Sequence, residues 1–305
     1  MKKFSPWAYE GFMTLIDLDN KSGGTIPLDP NAPKTATRDR CLGEGSFPPE
    51  GRLTDVEFWN RRQIAFASGG DDVHVPKWYP KISRFLPKSP DTTFLEVGVV
   101  PGHVMLFFAQ RLHYQCTGVD FSPRIRHLPS LFASRGLKAN FVETDFLEWS
   151  GSGRFDIVFS SGFIEHFTDY EMVILKHWDK VAPGGLMILA VPTFKTPLQW
   201  WMRRLFYEPW FLREVLASHN LAIMSLEALR ECVKKVCPEA RVLLAVREPG
   251  VPLWIHPNMK GIRKGPGLKS LWLLVRVFDR ILCVFGVSSK WCAGVALVMA
   301  SKEGE

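Results

Sequence analysis

The sequence predicts an α/β protein: a seven-stranded, mostly parallel sheet with helices on both faces, an N-terminal arm before it and an insert after the fifth strand. Three observations carry this. From Thr93 onward short apolar runs alternate with helical patterns, the pattern that successive βαβ units leave in a sequence. A glycine turn follows the first run and opens a helix, and an acid ends the second run, so ligand chemistry is expected at the strands' carboxyl ends. The chain has 305 residues and is 46% hydrophobic, enough for one large domain with a sizeable core.

In chain order, residues 20–55 are rich in Gly, Pro, Asp and Thr, with Ser22-Gly23-Gly24 and Pro48-Pro49 as the clearest breaks, and read as loop. Residues 1–55 are therefore expected to form an arm and residues 56–305 the main domain. A helical stretch from Asp55 to Phe66 offers Phe58, Trp59, Ile64 and Phe66 as apolar anchors. The strand runs are Phe94 to Val97, Gln115 to Val119, Ala139 to Val142, Asp156 to Phe159, Leu186 to Val191, Ala240 to Val246 and Cys292 to Met299. Residues 194–220 form the insert, which carries Trp200, Trp201, Arg203 and Arg204. Between the last two strands a long helix from Leu268 to Phe285 is amphipathic, not membrane-spanning, because Lys269, Arg276, Asp279 and Arg280 interrupt it. As a crossover helix it should bury Leu271, Leu274, Val275, Phe278 and Leu282 on the sheet and turn Lys269, Arg276 and Arg280 outward.

The net charge of +7 is uneven: from Lys195 to the end there are 17 Lys and Arg against nine Asp and Glu. This basic third is either a solvated face or a surface for an anionic or lipid-linked acceptor or a membrane. Six scattered cysteines without a C-x-x-C pair point to buried thiols and a reducing, cytoplasmic setting, with no metal site expected. No signal peptide is visible in Met1 to Asp19.

The chemistry sits on the first strands. Gly98 and Gly102 let the backbone approach a ligand, and Asp120 follows Gly98 by 22 residues, where a carboxylate can accept from both hydroxyls of a ribose. That spacing suits a nicotinamide dinucleotide as well as other nucleoside cofactors. The dinucleotide pattern G-x-G-x-x-G, however, would place glycine where Val100 stands.

Glu96-Val97-Gly98-Val99-Val100-Pro101-Gly102 resembles the first motif of class I, Rossmann-like methyltransferases that use S-adenosylmethionine (SAM). The later motifs follow in order as Asp120, Asp145-Phe146, Phe155 to Val158 and Val181 to Gly185. The resemblance covers residues 90–195 and is closest to a bacterial-type subgroup with a Gly-Phe-Ile-Glu-His-Phe run (Gly162 to Phe167) and a later His-Asn-Leu (His219 to Leu221). Thr193 stands where that subgroup usually has asparagine. The resemblance implies SAM as cofactor, with the glycine turn meeting its carboxylate, Glu96 orienting the turn or the ammonium group, and Asp120 taking the ribose. It implies that Asp145 accepts from the adenine amino group, that Phe146 covers the ring, and that Ser160 and Ser161 also bind the cofactor where the chain leads to the meeting of donor and acceptor. His166 is then either a general base or a brace for its loop. Trp59 and Arg61 lie in a helix that folds over the cofactor in similar enzymes. The run that marks methylation of exocyclic base nitrogens is absent, so nucleic acid is not expected as a partner. The expected acceptor is a small molecule or glycan-type metabolite methylated on oxygen. A non-catalytic SAM-binding scaffold and an NAD-dependent oxidoreductase remain as alternatives.

Overall fold

The computed structural model describes residues 51–61, 75–194, 196–250, 261–291 and 293–303. After helices α1 (Val56–Arg61) and α2 (Tyr79–Ile82) come β1 (Thr93–Val97), α3 (His103–Leu112), β2 (Gln115–Asp120), α4 (Leu128–Ala133), β3 (Ala139–Glu143), β4 (Phe155–Ser161), α5 (Tyr170–Asp179) and β5 (Val181–Pro192). The chain continues through α6 (Pro197–Phe206), α7 (Pro209–Ala217), α8 (Leu226–Val236), β6 (Arg241–Arg247), α9 (Pro266–Val284) and β7 (Val295–Ser301). The seven strands pair in the order β3-β2-β1-β4-β5-β7-β6. Every pairing is parallel except those of β7, which runs antiparallel to both its neighbours.

This Rossmann-like sheet buries both faces, and the period of two along each strand divides the core. On β1, Phe94 joins the cluster with Trp78 and Phe108, while Leu95 and Val97 join the other with Trp178 and Phe206. On β7, Val295, Leu297 and Met299 face the first cluster and Ala296, Val298 and Ala300 the second. Strands buried on both sides, such as β1, β5 and β7, read as continuous apolar runs. The strand order reverses between β1 and β4, so their carboxyl ends open a crevice for a ligand.

The expected face of α9 is corrected. Leu274 and Phe278 are exposed, at 66% and 50%, and Leu271, Val275 and Leu282 are only half-buried. Leu268, Leu271, Trp272 and Val275 pack in part against the core, and on the Asp279 side Lys77 Nζ lies 3.4 Å from Asp279 Oδ2 and Cys283 Sγ donates to the Pro249 carbonyl at 3.6 Å. Arg276 is half-buried beside the Trp272 ring, whereas Lys269 and Arg280 are exposed as expected. A helix apolar on most of its circumference does not encode which face is buried. In the insert, Met202, Phe206 and Phe211 are buried while Trp200, Trp201 and Trp210 stay exposed. Residues 1–50, which hold most of the expected arm, and residues 62–74, which hold the end of the expected first helix, lie outside the described residues.

Phe159 tests the central packing. It is fully buried on β4 between Trp78, 5.4 Å away, and Phe94, 6.2 Å away, centroid to centroid. Phe159→Ala is expected to lower stability by about 3–5 kcal/mol, read from the shift in denaturant midpoint at unchanged slope.

Candidate active site

The turn between β1 and α3 is fixed by backbone geometry. Gly98 and Gly102 take positive φ values of 71° and 87°, a region costly for other residues. A Cβ on Gly98 would lie 2.8 Å from Phe163 Cδ2, and one on Gly102 would lie 2.9 Å from Leu128 Cδ2. The amides of Gly98 and Val99 both donate to the Val119 carbonyl, at 2.9 and 3.3 Å, which latches the turn to the end of β2. There the Asp120 carboxylate accepts from Val100 N at 3.0 Å and Ser122 N at 2.8 Å. Burial pushes its pKa up to about 6 against the pull of those amides.

These groups wall a concave cleft at the strand ends, the usual setting of a small-molecule site. Of the residues expected at the site, Glu96, Gly98, Gly102, Asp120, Ser161 and His166 line it. Glu96 is 5% exposed, and its Oε2 has no hydrogen-bond partner among the described residues. Burial holds its carboxyl well above the usual range, with Asp120 adding to the effect.

Asp145, Phe146 and Ser160 are not part of the wall. Ser160 is buried within β4, and Phe146 is packed in the core against Phe163 and His177. The Asp145 carboxylate is paired with Arg52 and accepts from Leu147 N. Arg52 is itself a wall residue that the sequence did not reveal. Its guanidinium lies 4.9 and 4.7 Å from the centroids of Phe121 and Phe167, and its backbone forms a bridge to Phe167. Trp59 on α1 also lines the cleft and meets the His166 ring edge-on at 5.1 Å, so this helix covers the site; the Arg61 side chain lies outside the described atoms.

The Gly162 to Phe167 run and the His219 to Leu221 run, 53 residues apart from His166 to His219, meet in space. Asn220 N donates to the Glu165 carbonyl at 2.6 Å and Asn220 Nδ2 to the Phe167 carbonyl at 3.1 Å. His166 Nδ1 donates to the Ser218 carbonyl at 2.7 Å, and the His166 and His219 rings lie 4.6 Å apart. Burial raises the Glu165 carboxyl to about 8.

A crevice at the strand reversal, walled by a latched glycine turn and strand-end acids, is where a Rossmann-like sheet holds a nucleoside cofactor. The family model described as a methyltransferase domain matches residues 73–236, and the chain belongs to that family. It is 33% identical over 109 residues to ajmaline N-methyltransferase of Rauvolfia serpentina, covering 34% of this chain and 37% of that one. Over 111 residues it is 24% identical to trans-aconitate 2-methyltransferase of Deinococcus radiodurans, covering 36% and 42%. The matched stretch thus spans about two fifths of each relative's length. Among solved structures, coclaurine N-methyltransferase bound to N-methylheliamine and S-adenosylhomocysteine is 15% identical, with a TM-score of 0.49 over 74% of this chain and 70% of that one. The phosphoethanolamine N-methyltransferase 2 of Haemonchus contortus, in complex with SAM, is 17% identical, with a TM-score of 0.47 over 73% and 51%.

SAM is the methyl donor of this class, and the residues present fit it. The buried Glu96 carboxylate, whose Oε2 has no partner among the described residues, suits an ammonium group, the glycine turn and the start of α3 suit a carboxylate, and Asp120 suits a pair of hydroxyls.

The turn can be tested against a matched control. Gly98→Ala should lower stability by about 2–3 kcal/mol, because positive φ and the Phe163 ring both oppose a methyl group. Gly184→Ala, at φ 75° with nothing within 4 Å of the new methyl, should cost only the conformational part, about 1 kcal/mol. Equal losses in denaturant titrations would show that Phe163 does not press on the turn.

Proposed function

We propose that the protein transfers the methyl group of SAM to a small-molecule acceptor, with oxygen as the methylated atom. The observation that carries this is the set of Glu96, the Gly98 to Gly102 turn and Asp120 around one cleft. When bound, SAM supplies an electrophilic methyl group on a sulfonium. The chain's own residues bind and orient: Glu96 holds the ammonium, the glycine turn the carboxylate, Asp120 the ribose. Covered by Trp59, they hold the reactants in line and shielded from water, which is most of what such a displacement requires. A neutral amine attacks through its own lone pair, whereas a hydroxyl must also lose a proton. The polar Glu165, His166 and His219 group beside the cleft favours the second kind of acceptor. Mass analysis of products from labelled SAM offered to hydroxyl- and amine-bearing metabolites tests the choice of oxygen.

Titration calorimetry with SAM, S-adenosylhomocysteine and NAD tests the cofactor. Binding of NAD in place of the other two would return the chain to the oxidoreductase reading. Asp120→Ala should weaken SAM binding by about 1.5–3 kcal/mol in a folded protein. The acid also gives a pH dependence with a fixed sign. Since its folded pKa is raised to about 6, acidification protonates it in the free protein and removes an acceptor for the ribose. SAM affinity should fall on going from pH 7 to pH 5, by about tenfold, and Asp120→Asn should flatten that slope.

For the acceptor's setting we propose an anionic membrane surface. The outer side of α9 presents Leu273, Leu274, Val277, Phe278, Ile281 and Val284 to solvent, bordered by exposed Arg263, Lys264, Lys269 and Arg280. No helix among the described residues is long and apolar enough to cross a membrane, and an apolar ridge with a cationic border suits lying in the headgroup region. Sedimentation with phosphatidylserine vesicles should show binding that weakens in high salt but persists, because the apolar ridge is not screened. Leu274→Glu/Phe278→Glu should abolish it; no binding at low salt would leave the ridge to another occupant.

A further inference from the structure

Glu165, His166 and His219 place one possible ligand atom each within 4.8 Å of one another. Glu165 is 1% exposed, and neither of its carboxylate oxygens has a hydrogen-bond partner among the described residues. A buried carboxylate left this way is strongly disfavoured unless it carries a proton or faces a cation. Both imidazoles are oriented from behind by the main chain. His166 Nδ1 donates to the Ser218 carbonyl at 2.7 Å, and His219 Nδ1 donates to the Val215 carbonyl at 2.6 Å. Backbone bonds of this kind are the usual outer support of a metal-bound histidine.

We propose that Glu165, His166 and His219 bind one divalent first-row transition-metal ion beside the methyl-transfer cleft. Two imidazole nitrogens and one carboxylate suit zinc, manganese, iron or cobalt, whereas magnesium and calcium favour all-oxygen sites. Ligand atoms bonded at about 2.1 Å stand roughly 3–4 Å apart, so the cluster closes on an ion through a small side-chain shift. His166 belongs both to the cluster and to the cleft wall, and the ion would therefore border the acceptor's space. Its role, which rests on the methyltransfer reading above, is to bind the acceptor oxygen. The hydroxyl proton leaves to solvent, an oxygen lone pair bonds to the methyl carbon, and the carbon–sulfur bond breaks with its electrons remaining on a now neutral thioether sulfur.

The test reads the metal directly. Protein stripped with a chelator is titrated with Co²⁺, following its visible absorption and tryptophan fluorescence, and bound metal is counted by mass spectrometry; SAM affinity is measured on the same samples by calorimetry. One equivalent should bind, and Glu165→Gln and His219→Asn should each lower the affinity at least tenfold. Location is read without altering a ligand: Trp59, 5.1 Å from His166, should report the metal by quenching, and Trp59→Phe should lose that quenching at unchanged stoichiometry. Absence of a bound equivalent, binding untouched by both ligand variants, or quenching that survives Trp59→Phe would each overturn the site. SAM binding without metal binding would overturn the site alone and leave the methyltransfer reading standing.

Discussion

Two main-chain amides close on the Asp120 carboxylate, from Val100 at 3.0 Å and from Ser122 at 2.8 Å, and the geometry of the cleft follows from that clasp. One amide belongs to the turn after β1 and the other to the turn after β2, so the acid joins the two neighbouring strand ends. The joint works only if the strands approach closely. Gly118 on β2 permits it, because a Cβ there would meet both methyl groups of Val99 at 2.9 Å. Burial outweighs the amides in setting the Asp120 pKa, so the free protein holds this acid under electrostatic cost. A ligand that adds donors recovers part of that cost, which is why strand-end acids make good nucleoside grips.

The opposite wall depends on residues 51–55. Leu53 N donates to the His166 carbonyl at 2.8 Å and Thr168 N to the Gly51 carbonyl at 2.9 Å, so this short segment runs as a strap along the loop after β4. The strap carries Arg52 into the space between Phe121 and Phe167. Both Arg52 and Leu147 N reach Asp145 through Oδ1. A carboxylate has two oxygens and several lone pairs, so Asp145 can serve the strap and still accept from a ligand. Its first task in this fold is nonetheless structural, to neutralise a buried arginine.

What the sequence made legible follows the physics of each signal. Strands buried on two faces, such as β1, β5 and β7, leave unbroken apolar runs, while β3 and β6, which are only partly buried, were legible from their place in the alternation of strands and helices. The turn and Asp120 were readable because a strand, a glycine turn and a spaced acid constrain one another. An aromatic residue beside an acid does not say whether it faces a ligand or the core, and in this structure Phe146 packs against Phe163 and His177. The buried face of α9 was only partly legible for a related reason, as apolar residues surround most of that helix and only Leu268, Leu271, Trp272 and Val275 among them pack against the core. The meeting of His219 with Glu165 and His166 lies beyond any local pattern, because it is made by the turn after α7 folding back on the turn after β4.

Helix α1 links the two ends of the cleft. Arg124 Nη2 donates to the Asn60 carbonyl at 2.7 Å, and Arg124 follows directly on the turn that supplies Phe121 and Ser122 to the cofactor side. One residue earlier on the same helix, Trp59 rests its edge on His166 and donates from Nε1 to Thr54 Oγ1 at 3.2 Å. The cover therefore leans on the Asp120 turn at one point and on the Glu165, His166 and His219 group at another. A ligand that fixes the Asp120 turn also fixes one support of Trp59, and Trp59 in turn limits where His166 can stand. Helix α1 therefore packs the Asp120 turn and the Glu165, His166 and His219 group against one shared support.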